Sequence, residues 1–122
     1  MSALAWVLAA PAGALGALAR FGTGRLMARS LGLHAPWGVL AVNLLGTFLL
    51  GLLVGMDPAD GLVLVLGAGF IGSYTTFSTW MAETDELAEG RRWNAALLNL
   101  VGPAIGGLML GAAGFALGLA LA

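Results

Sequence analysis

Apolar residues run almost unbroken along most of this chain, and the polar positions gather between four long apolar stretches. A helix that crosses a membrane needs about 20 mostly apolar residues. The pattern predicts helices over about 3–29, 36–56, 61–89 and 91–121, the third broken near 72–76. The first contains Pro11 and Arg20, and in the second Asn43 is the one strongly polar residue. The connections are short: SLGLHAP, DPAD and the acidic–basic run ETDELAEGRR. In lipid every backbone N–H and C=O must find a partner inside the protein. Four apolar segments with short loops therefore imply two helical hairpins rather than a sheet. The reading is a single all-α transmembrane domain spanning residues 1–122.

The third stretch holds an anomaly. Directly after GLVLVLGAGFI comes GSYTTFSTW, in which Ser73, Thr75, Thr76, Ser78 and Thr79 carry hydroxyls and Tyr74, Phe77 and Trp80 are aromatic. Hydroxyl side chains can bond to their own helix backbone and bend it. Gly67, Gly69 and Gly72 leave that backbone unshielded. Irregular backbone at membrane depth is tolerated only where it is buried in protein or lines a cavity. Freed carbonyls there can bind a cation, and freed N–H groups and hydroxyls can donate to an anion. Phe77 and Trp80, three apart, share a helix face, and aromatic rings have positive edges.

Small residues recur at a spacing of four: Ala9, Gly13 and Ala17; Gly51 and Gly55; Gly102 and Gly106; Gly107 and Gly111; Gly114 and Gly118. That spacing lets membrane helices approach closely, so these positions read as packing faces. Four helices are few to enclose a water-filled path, which points to an oligomer whose copies share interfaces.

Composition sharpens the picture. Of 122 residues 60% are hydrophobic and 9% charged, against about 25% charged in a soluble domain. The absence of cysteine rules out disulfides and thiolate metal sites, and a net charge of −1 offers no basic patch for nucleic acid. The N-terminus lacks the basic region of a secretory signal peptide. All five basic residues are arginines. Arg25, Arg29, Arg91 and Arg92 fall on the side of the first and third loops, so the positive-inside rule alone puts both termini outside the cytoplasm.

Candidate chemistry is sparse. Asn43 lies mid-helix with Thr47 one turn later on the same face; they read either as interhelical glue worth about 1 kcal/mol or as donors facing a passing anion. Arg20 reads either as a snorkelling side chain or as a positive charge that concentrates anions at a pore entrance. The six acidic residues lie in or next to loops, so the apolar segments lack the carboxylate that proton-coupled transport usually needs. His34 reads as a solvated loop residue. No nucleophile–base pair or phosphate-cradling loop is present, and the chain reads as a non-enzyme.

GALGALARFG around Arg20, WGVLAVNLLGTFLLG around Asn43 and GFIGSYTTFSTW in the third stretch resemble the Fluc (CrcB) family of fluoride channels, in the family's order and spacing. The resemblance implies an antiparallel, dual-topology homodimer in the bacterial inner membrane, with two fluoride pores lined by both chains. It implies passive, electrogenic fluoride export. Asn43 matches the family's pore asparagine and Phe77 the first of two phenylalanines whose ring edges face the ion. Ser78 and Thr79 match neighbouring hydroxyl positions, and Arg20 an arginine near the pore entrance. Gly72 and Thr75 match positions whose backbone carbonyls hold a structural sodium ion at the dimer centre.

Three departures stand out. Trp80 replaces the second phenylalanine, keeping a positive ring edge and adding an indole donor. Asn99 and Pro103 stand where the family often has Tyr and Ser of a polar track; Asn99 can still donate, while Pro103 cannot and should kink its helix. The arginine bias fits dual topology poorly, and a partly buried Arg25 would weaken it. Two rival readings stay open: a small multidrug-type antiporter, which needs an embedded acid in the first segment, and a non-transporting assembly subunit whose polar residues only glue helices.

Overall fold

The computed structural model describes residues 2–122, and every element among them is helical. The first span, α1 (Ala3–Leu31), is capped by the Ser2 hydroxyl, which accepts the Ala5 N–H at 3.2 Å. It stops at Gly32, whose φ of 64° is left-handed and whose N–H returns to the Met27 carbonyl. This is the end a glycine makes easily, because no Cβ opposes the turn. The second span is α2 (Trp37–Gly55). Its 19 residues reach about 28 Å at 1.5 Å per residue, close to the ~30 Å of a hydrocarbon core. The fourth span, α6 (Trp93–Leu121), runs as one helix through Pro103.

The third span is assembled from pieces. A short α3 (Asp60–Leu62) leads into a π-helical stretch (Val63–Ile71) and then a single turn, α4 (Gly72–Tyr74). The chain then leaves the helix and resumes as α5 (Ser78–Glu89). The break therefore falls at residues 75–77, at the end of the expected window. Gly72 keeps helical dihedrals (φ −59°, ψ −33°), whereas Thr75 is extended (φ −83°, ψ 161°). Glycine permits a break but does not impose one; the chain departs where another helix captures its backbone groups, as described below. The π-helical register, in which the Gly72 N–H reaches back to Gly67, has no marker in the sequence. Such widened turns are frequent at functional sites.

The small-residue seams pack as expected, with one exception. A Cβ on Gly51 would strike the carbonyl of Gly111, one on Gly114 that of Phe48, and one on Gly118 that of Leu52. So α2 and α6 lie backbone against backbone. On the other side α1 meets the third span: a Cβ on Gly16 would strike the Phe70 carbonyl, and one on Gly69 would come within 2.9 Å of the Ala9 carbonyl. Gly102 is the exception, since only Leu98 of its own helix lies near it. At most 22% of the most apolar window of each span is buried within the protomer. Most of the apolar surface is left for lipid or for another chain.

Candidate functional site

The break is held open by one side chain. Asn43, on α2, donates from Nδ2 to the Thr76 carbonyl and accepts the Thr76 N–H on Oδ1, both at 2.8 Å. The amide fits Thr76 in only one orientation, because a carbonyl needs a donor and an N–H needs an acceptor. Each consequence follows from i→i−4 bookkeeping. In a continuous helix the Thr76 N–H would bond to the Gly72 carbonyl; here it bonds to Asn43, so the Gly72 carbonyl is released. The Thr79 N–H would bond to the Thr75 carbonyl; it turns instead to the Thr76 hydroxyl at 3.3 Å. That releases the Thr75 carbonyl, which accepts Nη1 of Arg20 at 3.2 Å. Gly72 and Thr75, the pair that the resemblance assigns to sodium, are among the carbonyls released; that of Ser73 is another, since the Phe77 N–H does not return to it.

Asn43 retains one Nδ2 hydrogen beyond the bond to Thr76. It lines a groove of about 1020 Å³ together with Thr47, Gly72, Thr75, Thr76, Phe77, Trp80 and Pro103. Thr47 donates to the Asn43 carbonyl at 2.7 Å, inside its own helix. The Phe77 and Trp80 rings meet edge to face, with centroids 5.8 Å apart and planes at 89°. Phe77 is 69% exposed on the isolated protomer, so one wall of the groove is open. No ionisable side chain is among the described residues that line it. An anion there would meet amide, hydroxyl and ring-edge dipoles without a full charge to trap it.

Not every expected residue reaches this groove. Ser78, Thr79 and Asn99 do not line it. The Ser78 hydroxyl lies 3.3 Å from that of Thr76. Thr79 belongs to a separate cavity of about 450 Å³, which is also lined by Arg20, Arg25, His34, Thr76 and Glu83. Thr76 borders both spaces and forms the wall between them. Arg20 thus stands in the second cavity, behind the Asn43–Thr76 clasp. Arg25 is exposed rather than partly buried, with its guanidinium 5.5 Å from the centroid of the Phe21 ring, so burial does not relieve the arginine bias.

Glu83 lies within the helix expected over 61–89, but it does not simply face solvent beside a loop. It sits in α5, which continues beyond the apolar stretch, and is only partly exposed. It lines the arginine-containing cavity, and its Oε2 is buried without a hydrogen-bond partner.

The two remaining donors expected at the ion path are committed elsewhere. The Trp80 indole N–H donates to the Asn99 carbonyl. Asn99 Nδ2 donates to Thr84 Oγ1 at 2.9 Å, and Thr84 Oγ1 donates to the Trp80 carbonyl at 2.9 Å. These bonds lace α5 to α6. Thr76 and Thr84 were the residues sequence reasoning passed over. Thr76 is 8% exposed and is the hub of the break. Threonine is among the residues preferred just ahead of a helix, where its hydroxyl can accept a free N–H, and Thr76 accepts that of Thr79 in this way.

Comparison with known proteins identifies the family. Residues 7–115 match the model of the family described as CrcB-like protein, Camphor Resistance (CrcB). A protein of Rubrobacter xylanophilus named fluoride-specific ion channel FluC 1 is 47% identical over 112 residues, covering 91% of this chain and 89% of its own. One of Thermus thermophilus named fluoride-specific ion channel FluC is 42% identical over 120 residues, 95% and 96% of the two chains. One of Mycobacterium bovis named fluoride-specific ion channel FluC 2 is 43% identical over 103 residues, 84% and 82%. A helical chain whose third span is opened by an asparagine, and which matches that model over nearly its whole length, belongs to the CrcB family.

Proposed function

We infer that this chain is a multi-pass protein of the bacterial plasma membrane that conducts fluoride passively and electrogenically. The observation that carries the reading is the uncharged, donor-bearing groove beside the broken third span. Fluoride is small and holds water tightly. A narrow path must replace that water with donors that bind strongly enough to admit the ion and weakly enough to release it. The free Nδ2 hydrogen of Asn43 and the ring edges of Phe77 and Trp80 are donors of that kind. Chloride is larger and fits such a path poorly. Fluoride that enters a cell as HF and dissociates inside would leave through it.

The open side of the groove calls for a second wall. In our reading a second copy of the chain, antiparallel to the first, supplies it, making a dual-topology homodimer with two paths. The carbonyls of Gly72 and Thr75 suit a structural sodium ion, because carbonyl oxygens are hard, neutral ligands of the type such ions take. Two copies would offer four of them. Such an ion would neutralise carbonyl dipoles gathered at the break. Arg20 already stands on the Thr75 carbonyl, so its guanidinium has to share that oxygen with sodium or yield it. From the cavity behind the clasp, Arg20 and Arg25 raise the local concentration of anions.

Glu83 is the one observation on the side of proton coupling. The test therefore measures both ions. Purified protein in liposomes is given a fluoride gradient, and fluoride efflux, chloride efflux and proton movement are followed. Expected are fluoride flux that stops when charge compensation is withheld, little chloride flux, and loss of fluoride flux in Phe77→Ile. Equal chloride flux, or a fluoride flux indifferent to Phe77→Ile, would overturn the channel reading. A stoichiometric proton counterflow would replace it with a coupled exchanger.

A further inference from the structure

Three residues depart from the family pattern, and the structure joins them. Proline lacks an N–H, so Pro103 cannot bond to the carbonyl four residues earlier, which is that of Asn99. Its ring also crowds that carbonyl and turns it away from the helix axis. Yet α6 runs unbroken from Trp93 to Leu121. The vacant Asn99 carbonyl receives the indole N–H of Trp80 instead, from across the α5–α6 contact. The Asn99 amide closes the ring of bonds through Thr84 Oγ1 to the Trp80 carbonyl.

We propose that Pro103 and Asn99 are positioning residues for Trp80, so that the tryptophan and the proline form one interdependent unit setting the aromatic wall of the groove. Pro103 exposes a carbonyl, that carbonyl orients the indole, and the indole sets the ring that meets Phe77 edge to face. The unit also decides what Trp80 offers an ion. Its N–H is committed to α6, so the ion meets ring carbon and hydrogen, as it would with a phenylalanine. A phenylalanine would then be acceptable at position 80 only if residue 103 regained an N–H to satisfy Asn99. This rests on the channel reading for its link to flux, but the coupling itself does not.

The test is a double-mutant cycle on the full chain in liposomes, with Trp80→Phe, Pro103→Ala and the pair. Trp80→Phe alone should lower fluoride flux about tenfold, the equivalent of one part-buried carbonyl left unpaired. Pro103→Ala alone supplies the reference for the pair: Pro103 lines the groove, so its own effect on flux is read first, and the restored N–H leaves the indole bond in place because a carbonyl oxygen has two acceptor sites. The double variant should return to within about threefold of Pro103→Ala. A double variant as impaired as Trp80→Phe would overturn the proposal.

A second measurement leaves Trp80 in place. In 15N-indole spectra, with the Trp80 signal assigned by its loss in Trp80→Phe, Pro103→Ala should shift that signal and fluoride should leave it unmoved. A shift with fluoride as large as that from Pro103→Ala would mean that the N–H meets the ion, and would equally overturn it. If the wild-type protein carries no fluoride, the channel reading fails by itself. The thermal-unfolding midpoints of the same four proteins then decide the coupling: lowered in Trp80→Phe and recovered in the pair, or not.

Discussion

Asn43→Ala should unclasp the third span, and the size of the effect can be worked out beforehand. The substitution removes two bonds of 2.8 Å, one to the N–H and one to the carbonyl of Thr76. Thr76 is 8% exposed, so water reaches neither group easily. A buried polar group left without a partner costs about 1–3 kcal/mol. Measured hydrogen bonds between membrane helices average only ~0.6 kcal/mol, because the unfolded state in lipid also finds partners. Taking about 1 kcal/mol for each group gives about 2 kcal/mol, a roughly thirtyfold shift in the folding equilibrium. Reversible unfolding of the purified protein in detergent or bicelles measures it. Asn43→Asp sharpens the test. Its carboxylate keeps an acceptor for the Thr76 N–H but loses the donor to the Thr76 carbonyl, and protonation returns an O–H that can donate there. The stability of Asn43→Asp should therefore rise as pH is lowered, relative to that of Asn43→Ala, which has no group to titrate at this position. If Asn43→Ala lies within about 0.5 kcal/mol of wild type, the range of an ordinary surface substitution, the clasp does not hold the break.

Two further outcomes follow from the packing and the charges. Gly114→Leu places a side chain where the Phe48 carbonyl already lies; overpacking of this kind costs at least about 1–3 kcal/mol, and a lowered thermal midpoint should accompany loss of flux, whereas Gly102→Leu, at a position open on the protomer, should be milder. Arg20→Ala removes the guanidinium from the Thr75 carbonyl and from the cavity, so fluoride flux at low fluoride should fall several-fold, and its decline on raising inert salt from about 0.01 to about 0.1 M, over which the screening length shortens from ~30 to ~10 Å, should flatten; an unchanged salt dependence would remove Arg20 from any steering role.

Much of this was legible along the chain because the governing interactions are local or periodic. Four apolar runs set four spans, since lipid leaves the backbone no other partner. Glycines four apart marked the seams, because residues at that spacing share a helix face. GSYTTFSTW announced a break, since hydroxyls and glycine together undermine a helix. The position of the break was less legible: glycine at 72 stayed helical, and the departure came where Asn43 reaches Thr76, 33 residues away in sequence. Asn99 and Trp80 looked like donors to an ion because each has a donor to give. The indole instead meets the Asn99 backbone carbonyl and the Asn99 amide meets Thr84, and no periodicity reports the rotation of one helix against another. Glu83 fell inside the expected helix over 61–89 but was grouped with the loop charges; that it turns into the cavity beside Arg20 is decided by how α5 is rotated against α1.

The sequence by itself determined the setting: a lipid-embedded bundle, weak in charge, with one irregular segment at membrane depth and a motif that marks its family. The physical reason is that burial in lipid acts on every residue according to its own polarity and its neighbours along the helix. Only the tertiary structure decided which polar group answers which. It assigned Asn43 to Thr76, Arg20 to the carbonyl of Thr75, and Trp80 to the carbonyl that Pro103 leaves vacant. Hydrogen bonds are directional and short, so partners far apart in the chain are chosen by how the helices are turned and how closely they lie.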